Sequence, residues 1–180
     1  MKIIKIIIGI VGLLILAFFI LASLDLFPVA FTSKWLITAK QLNKIANSSL
    51  IYYQKTLSVY ASSVPITDIN FQKEIKRAAL DKLIEDKIIN EILVKKFGAE
   101  KLNKMIDDEL AGLLINDEIA KASQILYNLS LKDFKNLVLT PEAKRGILKE
   151  QGIDLYEIKK SHRPIILTPG FYWQDEVLAQ

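Results

Sequence analysis

No cysteine occurs in the 180 residues. That excludes disulfides, thiolate catalysis and cysteine-based zinc sites. A single histidine, His162, leaves no pair for a shared metal and no H-E-x-x-H motif. An excess of one charge is also lacking. Setting aside Lys2 and Lys5, the chain carries 22 basic and 20 acidic residues. A net charge of +2 is too balanced to argue for nucleic acid or for an acidic substrate. Only seven glycines are present, and Gly9 and Gly12 form no phosphate loop. No internal repeat or low-complexity segment occurs.

What is present begins with a long apolar run. Residues 6–24 read IIIGIVGLLILAFFILASL, nineteen positions without a charge. As a helix this run would be about 28 Å long, close to the hydrocarbon thickness of a bilayer. The sequence therefore predicts a single-pass anchor in the cytoplasmic (inner) membrane, with Ile6, Leu13, Phe18, Phe19 and Leu24 in contact with lipid. Lys2 and Lys5 would hold the N-terminus inside, leaving the rest of the chain outside. The alternative is a cleaved signal peptide, whose apolar region is usually about 7–15 residues long and ends at a small-x-small site. Ala22-Ser23-Leu24 puts leucine where a small residue is wanted, so the uncleaved anchor is the preferred reading. Gly9 and Gly12 do not form a G-x-x-x-G dimerisation face.

About 156 residues follow, enough for one modest domain. Two β-prone pieces, 29–32 and 35–37, flank Ser33-Lys34, which can turn although it lacks Asn-Gly chemistry. Thr38 and Gln41 fit a capping box opening a helix over 39–60, with a stripe of Leu42, Ile45, Ala46, Leu50, Tyr53, Leu57 and Tyr60. Thr67 or Asp68 caps a second helix. Its apolar stripe is Phe71, Ile75, Ala79, Leu83, Ile84, Ile88, Ile92, Leu93 and Phe97, and Gly98 is its stop. Helix over 100–127 should break near Gly112 or Asn116. Ser130 with Asp133 opens about two turns to Leu139. Thr140 and Pro141 then start a separate helix as N-cap and first residue, and Gly152 closes it. A last helical piece covers 154–160. The tail changes character: 163–169 is extended and β-prone, and Phe171-Tyr172-Trp173 is an aromatic cluster. The domain plan is thus 1–25 for the cytoplasmic end and anchor, 26–160 for a helical domain, and 161–180 for the tail. Residues 165–167 are expected to pair with 29–32 or 35–37, with the three aromatics packing back on the helices. The alternative is a mobile arm touching lipid or client.

Few residues suggest chemistry. Ser161, His162 and Arg163 tempt a nucleophile reading, but neighbours in an extended chain point apart, and a solvent-facing or capping histidine is preferred. Asp107, Asp108 and Glu109 splay by about 100° per residue on a helix, so they read as a solvated face rather than a metal or acid–base site. Tyr52, Tyr53 and the 171–173 cluster suit either an apolar peptide groove or core, and Tyr53 is assigned to core. No catalytic residue, cofactor or metal is assigned.

The order of these pieces carries a resemblance. A membrane segment leads through a strand pair into Thr38-Ala39-Lys40-Gln41-Leu42, then a tyrosine-bearing helix, Ile51-Tyr52-Tyr53-Gln54. Next comes Leu80-Asp81-Lys82-Leu83-Ile84-Glu85-Asp86-Lys87-Ile88, then a helix containing Met105-Ile106-Asp107. Last is Leu129-Ser130-Leu131-Lys132-Asp133-Phe134, with Val138 and Pro141. Over about residues 29–150 this resembles the N-terminal chaperone domain of the SurA and PrsA extracytoplasmic foldases, related in fold to the trigger-factor peptide-binding domain. Two features depart from the family pattern. Thr32-Ser33-Lys34-Trp35 replaces the usual Val-Asn-Gly turn. The parvulin prolyl-isomerase domain is missing, since about twenty residues after Ser161 cannot build it. The resemblance implies a mainly α fold: a transmembrane helix followed by a SurA-N-like multi-helix domain with short β segments at its two ends. It also implies a holdase or folding factor that binds unfolded or nascent secreted polypeptides, without isomerase activity and without nucleic acid. The groove would lie between the two long helices, lined by Phe71, Ile75, Leu83, Ile88, Ile92, Phe97, Leu113 and Leu114. The alternative functions are a membrane-anchored structural or assembly protein with one dedicated partner, and an isomerase that borrows its catalytic domain by association.

Overall fold

The computed structural model describes residues 25–59, 68–174 and 177–179, together with the isolated position Leu13. Strands β1 (Pro28–Phe31) and β2 (Leu36–Thr38) form an antiparallel hairpin, with Ala30 opposite Ile37 and Phe31 opposite Leu36. The turn closes through Thr32 N–H donating to the Trp35 carbonyl at 3.0 Å. Helix α1 (Ala39–Val59) starts at the expected capping box. Thr38 N–H donates to Gln41 Oε1 at 3.1 Å, and Gln41 N–H donates to Thr38 Oγ1 at 3.3 Å.

Helix α2 (Ile69–Phe97) is capped by Asp68, whose carboxylate accepts the Asn70 N–H at 2.7 Å. It stops at Gly98, whose φ of 79° lies in the region glycine tolerates best. At 29 residues it is about 43 Å long and spans both halves of the core. Helix α3 (Ala99–Leu114) follows at once, and α4 (Asp117–Tyr127) begins after Asn116, which caps it; of the two expected breaks, the one at Asn116 is observed and Gly112 stays helical. Helix α5 (Leu131–Phe134) runs into a π-helical turn (Lys135–Leu139), then α6 (Thr140–Glu150) and α7 (Leu155–Ser161).

The expected separate start at Thr140 is therefore corrected. Thr140 makes no capping bond with its side chain, and its N–H donates to the Lys135 carbonyl five residues back. Proline at 141 has no N–H to give, and its ring crowds the carbonyl one turn earlier. A locally widened turn absorbs both effects without ending the helix.

Strand β3 (Ile165–Ile166) pairs antiparallel with β1, so the first sheet has the order β2-β1-β3 and the tail belongs to it. Strands β4 (Tyr172–Gln174) and β5 (Val177–Ala179) form a second hairpin. Two apolar clusters fill the interior. The first joins the sheet, α1, the N-terminal two-thirds of α2 and Phe171. The second joins the end of α2 (Ile89, Leu93) to α3 and α6.

The expected fold class needs one correction. Among the described residues no helix is long and apolar enough to cross a membrane. What stands is a mainly helical fold with short strands. Even α2, the longest helix, carries charge at least every fourth position from Lys73 to Lys96, which suits one wet face and one buried face. Residues 6–24 lie outside the described residues except Leu13, which is helical and exposed. Ile6, Phe18, Phe19 and Leu24 thus fall outside the description.

Candidate functional site

The residues expected to line a groove between the long helices are divided between core and surface. Ile75, Leu83 and Ile88 are buried. Phe71 and Ile92 are half-buried against the first cluster, and Phe97 and Leu114 lie against the second. Leu113 is exposed. The apolar faces of α2 and α3 meet through Leu93, Leu102 and Ile106, so that interface is closed by packing.

An aromatic ladder occupies a different face. Phe71 meets Tyr53 edge-on at 5.9 Å, and Tyr53 meets Tyr52 edge-on at 6.0 Å. Tyr52 stacks on Tyr127 at 4.9 Å with 9° between the planes, and Tyr127 leans on Phe134 at 5.2 Å. Five rings from α1, α2, α4 and α5 thus form one run. Tyr53 is 43 % exposed, which corrects its assignment to the core. The edge-to-face contacts hold it without covering it. Ile125 and Leu126, next to Tyr127, are also exposed. Beside Tyr127 opens a mostly apolar pocket of 140 Å³ lined by Ile45, Leu129, Leu137 and Val138, with Ser48, Ser49 and Lys82 as its polar groups. Its apolar lining suits one aliphatic or aromatic side chain.

The end of α4 that carries Tyr127 is fixed by a buried polar joint. Ser123, fully buried, donates through Oγ to the Ala120 carbonyl at 2.8 Å, and the Leu129 carbonyl lies 3.3 Å from the same Oγ. Asn128 turns left-handed at φ 52° to end the helix. Sequence reasoning singled out Tyr52 and Tyr53 but missed Tyr127 and Phe134, which lie more than seventy residues further along the chain. No local pattern announces that stack.

A charge network lies between α2 and α6. Arg145 donates through Nε to Glu85 at 2.8 Å, through Nη2 to Asp86 at 2.9 Å and through Nη1 to Glu142 at 2.5 Å. Lys82 reaches Glu142 at 3.1 Å and Asp86 at 3.8 Å. Lys159, almost buried, sits 3.5 Å from both Asp81 and Glu85 and over the Trp173 ring. Burial pushes the Asp86 carboxyl from its ordinary 3.8 up to about 6, against the pull of Lys82 and Arg145. Between those two values the folded chain holds a proton that the unfolded chain has released. The Asp86 contribution to stability therefore falls as pH rises from about 4 to about 6. In urea unfolding, the stability of the parent minus that of Asp86→Asn is expected to fall across this window and level off above it. A pH-independent difference would refute the assignment.

His162 caps the end of α7. Its Nδ1 lies 2.9 Å from the Ile158 carbonyl, which can only accept, so Nδ1 carries the proton. Ser161 Oγ donates to the same carbonyl at 2.8 Å and lies 3.1 Å from Nδ1. The two neighbours thus converge instead of pointing apart, because both satisfy one helix-end carbonyl. With its Nδ1 protonated and bonded away, the ring offers Ser161 no base. Nε2 lies 3.7 Å from Glu91, which accepts from Lys34 Nζ at 2.6 Å; that hydrogen bond holds Glu91 below its ordinary value. These groups line a cleft of 360 Å³ with Arg163 and Ile165. In the acidic run, Asp107 pairs with Lys135 at 2.9 Å, and Asp108 and Glu109 are exposed. Among the described residues no cluster of histidine and carboxylate side chains suits a metal ion.

Compared with protein-family models, with curated proteins and with solved structures, the chain matches none.

Proposed function

We propose that the helical domain holds unfolded or nascent secreted polypeptides by apolar contact, in the manner of the SurA- and PrsA-type chaperone domains that its sequence resembles. The observation that carries this reading is the exposed edge of the aromatic ladder beside an apolar pocket sized for one side chain. Burying one large apolar side chain contributes about 1.5–3 kcal/mol, far short of the roughly 8 kcal/mol of a micromolar complex. Such a surface binds weakly at each point and with little sequence demand, which suits a holdase. The uncharged run at residues 6–24 of the sequence supports action outside the cytoplasmic membrane. No nucleotide enters the scheme, because no phosphate loop is present in the sequence.

The full chain is expected to delay aggregation of a denatured, unrelated protein at near-stoichiometric ratio, with little loss on adding salt. The triple variant Tyr53→Ser, Ile125→Ser, Leu126→Ser alters exposed positions only. It should keep its melting temperature within a few degrees and need several-fold more protein for the same delay. A fully active triple variant refutes this surface as the holding site. No protection of any client, together with one tight partner, supports the assembly-protein reading instead.

A further inference from the structure

The apolar pocket has a polar neighbour. A second cavity, of 240 Å³, shares Ile45 and Leu137 with it as common lining. Two ammonium groups line this second cavity, Lys87 and Lys144, and neither is in an ion pair among the described residues. Lys144 Nζ donates to Asn90 Oδ1 at 2.7 Å, which fixes its direction. Asp86 lines the cavity as well, but its oxygens are engaged by Arg145 at 2.9 Å and Lys82 at 3.8 Å. Asn136 and Thr140, placed by the π-helical turn and the start of α6, bring further polar side chains to the cavity. Burial holds the Lys144 ammonium below its ordinary value; Asp86 pulls it up and Lys87 pushes it further down. The cavity therefore presents two ammonium groups outside any ion pair among the described residues, of which Lys144 is penalised by burial, and an anion would relieve that penalty.

We infer that the two neighbouring cavities, on either side of Ile45 and Leu137, take the free C-terminus of an apolar polypeptide, with its carboxylate on Lys87 and Lys144 and its last side chain in the 140 Å³ pocket. A chain end is the occupant these walls favour, because only there do a carboxylate and an apolar side chain branch from the same Cα. An aspartate or glutamate within a chain carries its charge at the tip of the side chain and cannot fill both cavities with one residue. The inference rests on the polypeptide-holding reading and names the part of the client that is read.

The test uses the full chain and a fluorescently labelled peptide of alternating alanine and leucine, ending in leucine, made as the free acid and as the C-terminal amide. A charge-assisted bond predicts the free acid to bind about tenfold tighter or more by anisotropy. That ratio should collapse toward one in the double variant Lys87→Gln, Lys144→Gln and persist in Lys104→Gln, an exposed lysine on α3. Should the double variant fail to fold, Lys87→Gln alone, which has no ion pair to lose, should lower the ratio several-fold. Several results would each overturn the inference. One is a ratio near one in the parent. Another is a ratio that survives the lysine changes. The last is an equal gain from an amidated peptide carrying an internal glutamate. Displacement of the free acid by millimolar phosphate or acetate, with no preference for the peptide over acetate, reduces the site to a small-anion pocket and also overturns it. If acid and amide bind equally and both weaken in the Tyr53→Ser, Ile125→Ser, Leu126→Ser variant, the carboxylate site falls and the holding function stands. If neither peptide binds, both readings fall.

Discussion

Replacing Ile88 with aspartate is expected to abolish most of the cooperative fold at neutral pH. Ile88 is fully buried on α2, in the cluster that joins the sheet to α1 and α2. Two costs add. Removing the branched side chain forfeits about 2–4 kcal/mol of burial and packing. The incoming carboxylate must then stay desolvated without a partner or take up a proton, which costs several kcal/mol more. Domains of this size have only about 5–15 kcal/mol in total. The urea midpoint should therefore fall close to zero. Partial recovery is expected on acidification, because a protonated carboxyl is far cheaper to bury. Leu113→Asp is the control: at 44 % exposure it should change stability by less than about 1 kcal/mol. A variant at position 88 as stable as the parent would mean that the apolar stripe of α2 does not pack as described.

What the sequence makes legible here is mostly what is decided locally. The capping box at Thr38 and Gln41, the Asp68 cap, the Gly98 stop and the Ser130 cap each depend on residues within a few positions of one another. Helical periodicity likewise places Ile84, Ile88 and Leu93 inside without knowledge of their partners. The π-helical turn is not legible in this way. Thr140-Pro141 has the chemistry of a helix start, yet residues on both sides of it, Phe134, Pro141, Ala143, Ile147 and Leu148, are buried on one continuous helical path. The candidate site is least legible of all. Its aromatic stack joins α1 to α4, and the shared wall of its two cavities joins α1 to the π-helical turn. The Arg145 network spans 60 residues between Glu85 and Arg145. Periodicity marks which residues are apolar; it does not distinguish an interface that packing closes, as between α2 and α3, from a face left open, as along Tyr53. That difference is set by which helix lies across which, a non-local property.

Truncation after Ser161 is expected to lower the melting temperature by about ten degrees or more. The deleted segment contributes at three places in the described structure. Ile166 pairs with Ala30 and Ile165 with Phe31, so β1 lies in the middle of its sheet only while the tail is present. Leu167 N–H donates to the Val29 carbonyl at 2.8 Å, and its loss leaves a backbone acceptor of a buried residue to find water. Phe171 is buried in the first cluster, where loss of a phenyl ring alone costs about 3–5 kcal/mol. Trp173 covers Lys159, which sits almost buried beside Asp81 and Glu85, so truncation also opens that ion group to water. For a domain of this size each 1 kcal/mol is worth about 2–4 °C, and the terms together exceed several kcal/mol. Two finer variants separate the parts. Phe171→Ala removes only the ring and should account for about half of the loss. Leu167→Pro removes the N–H that donates to the Val29 carbonyl while keeping the ring, and so weakens the pairing with β1. Aggregation should rise in both the truncation and Leu167→Pro, because β1 then becomes an exposed edge. Were the tail a free arm, differential scanning calorimetry of the truncated chain would match the parent, and the β1–β3 pairing would have no part in stability.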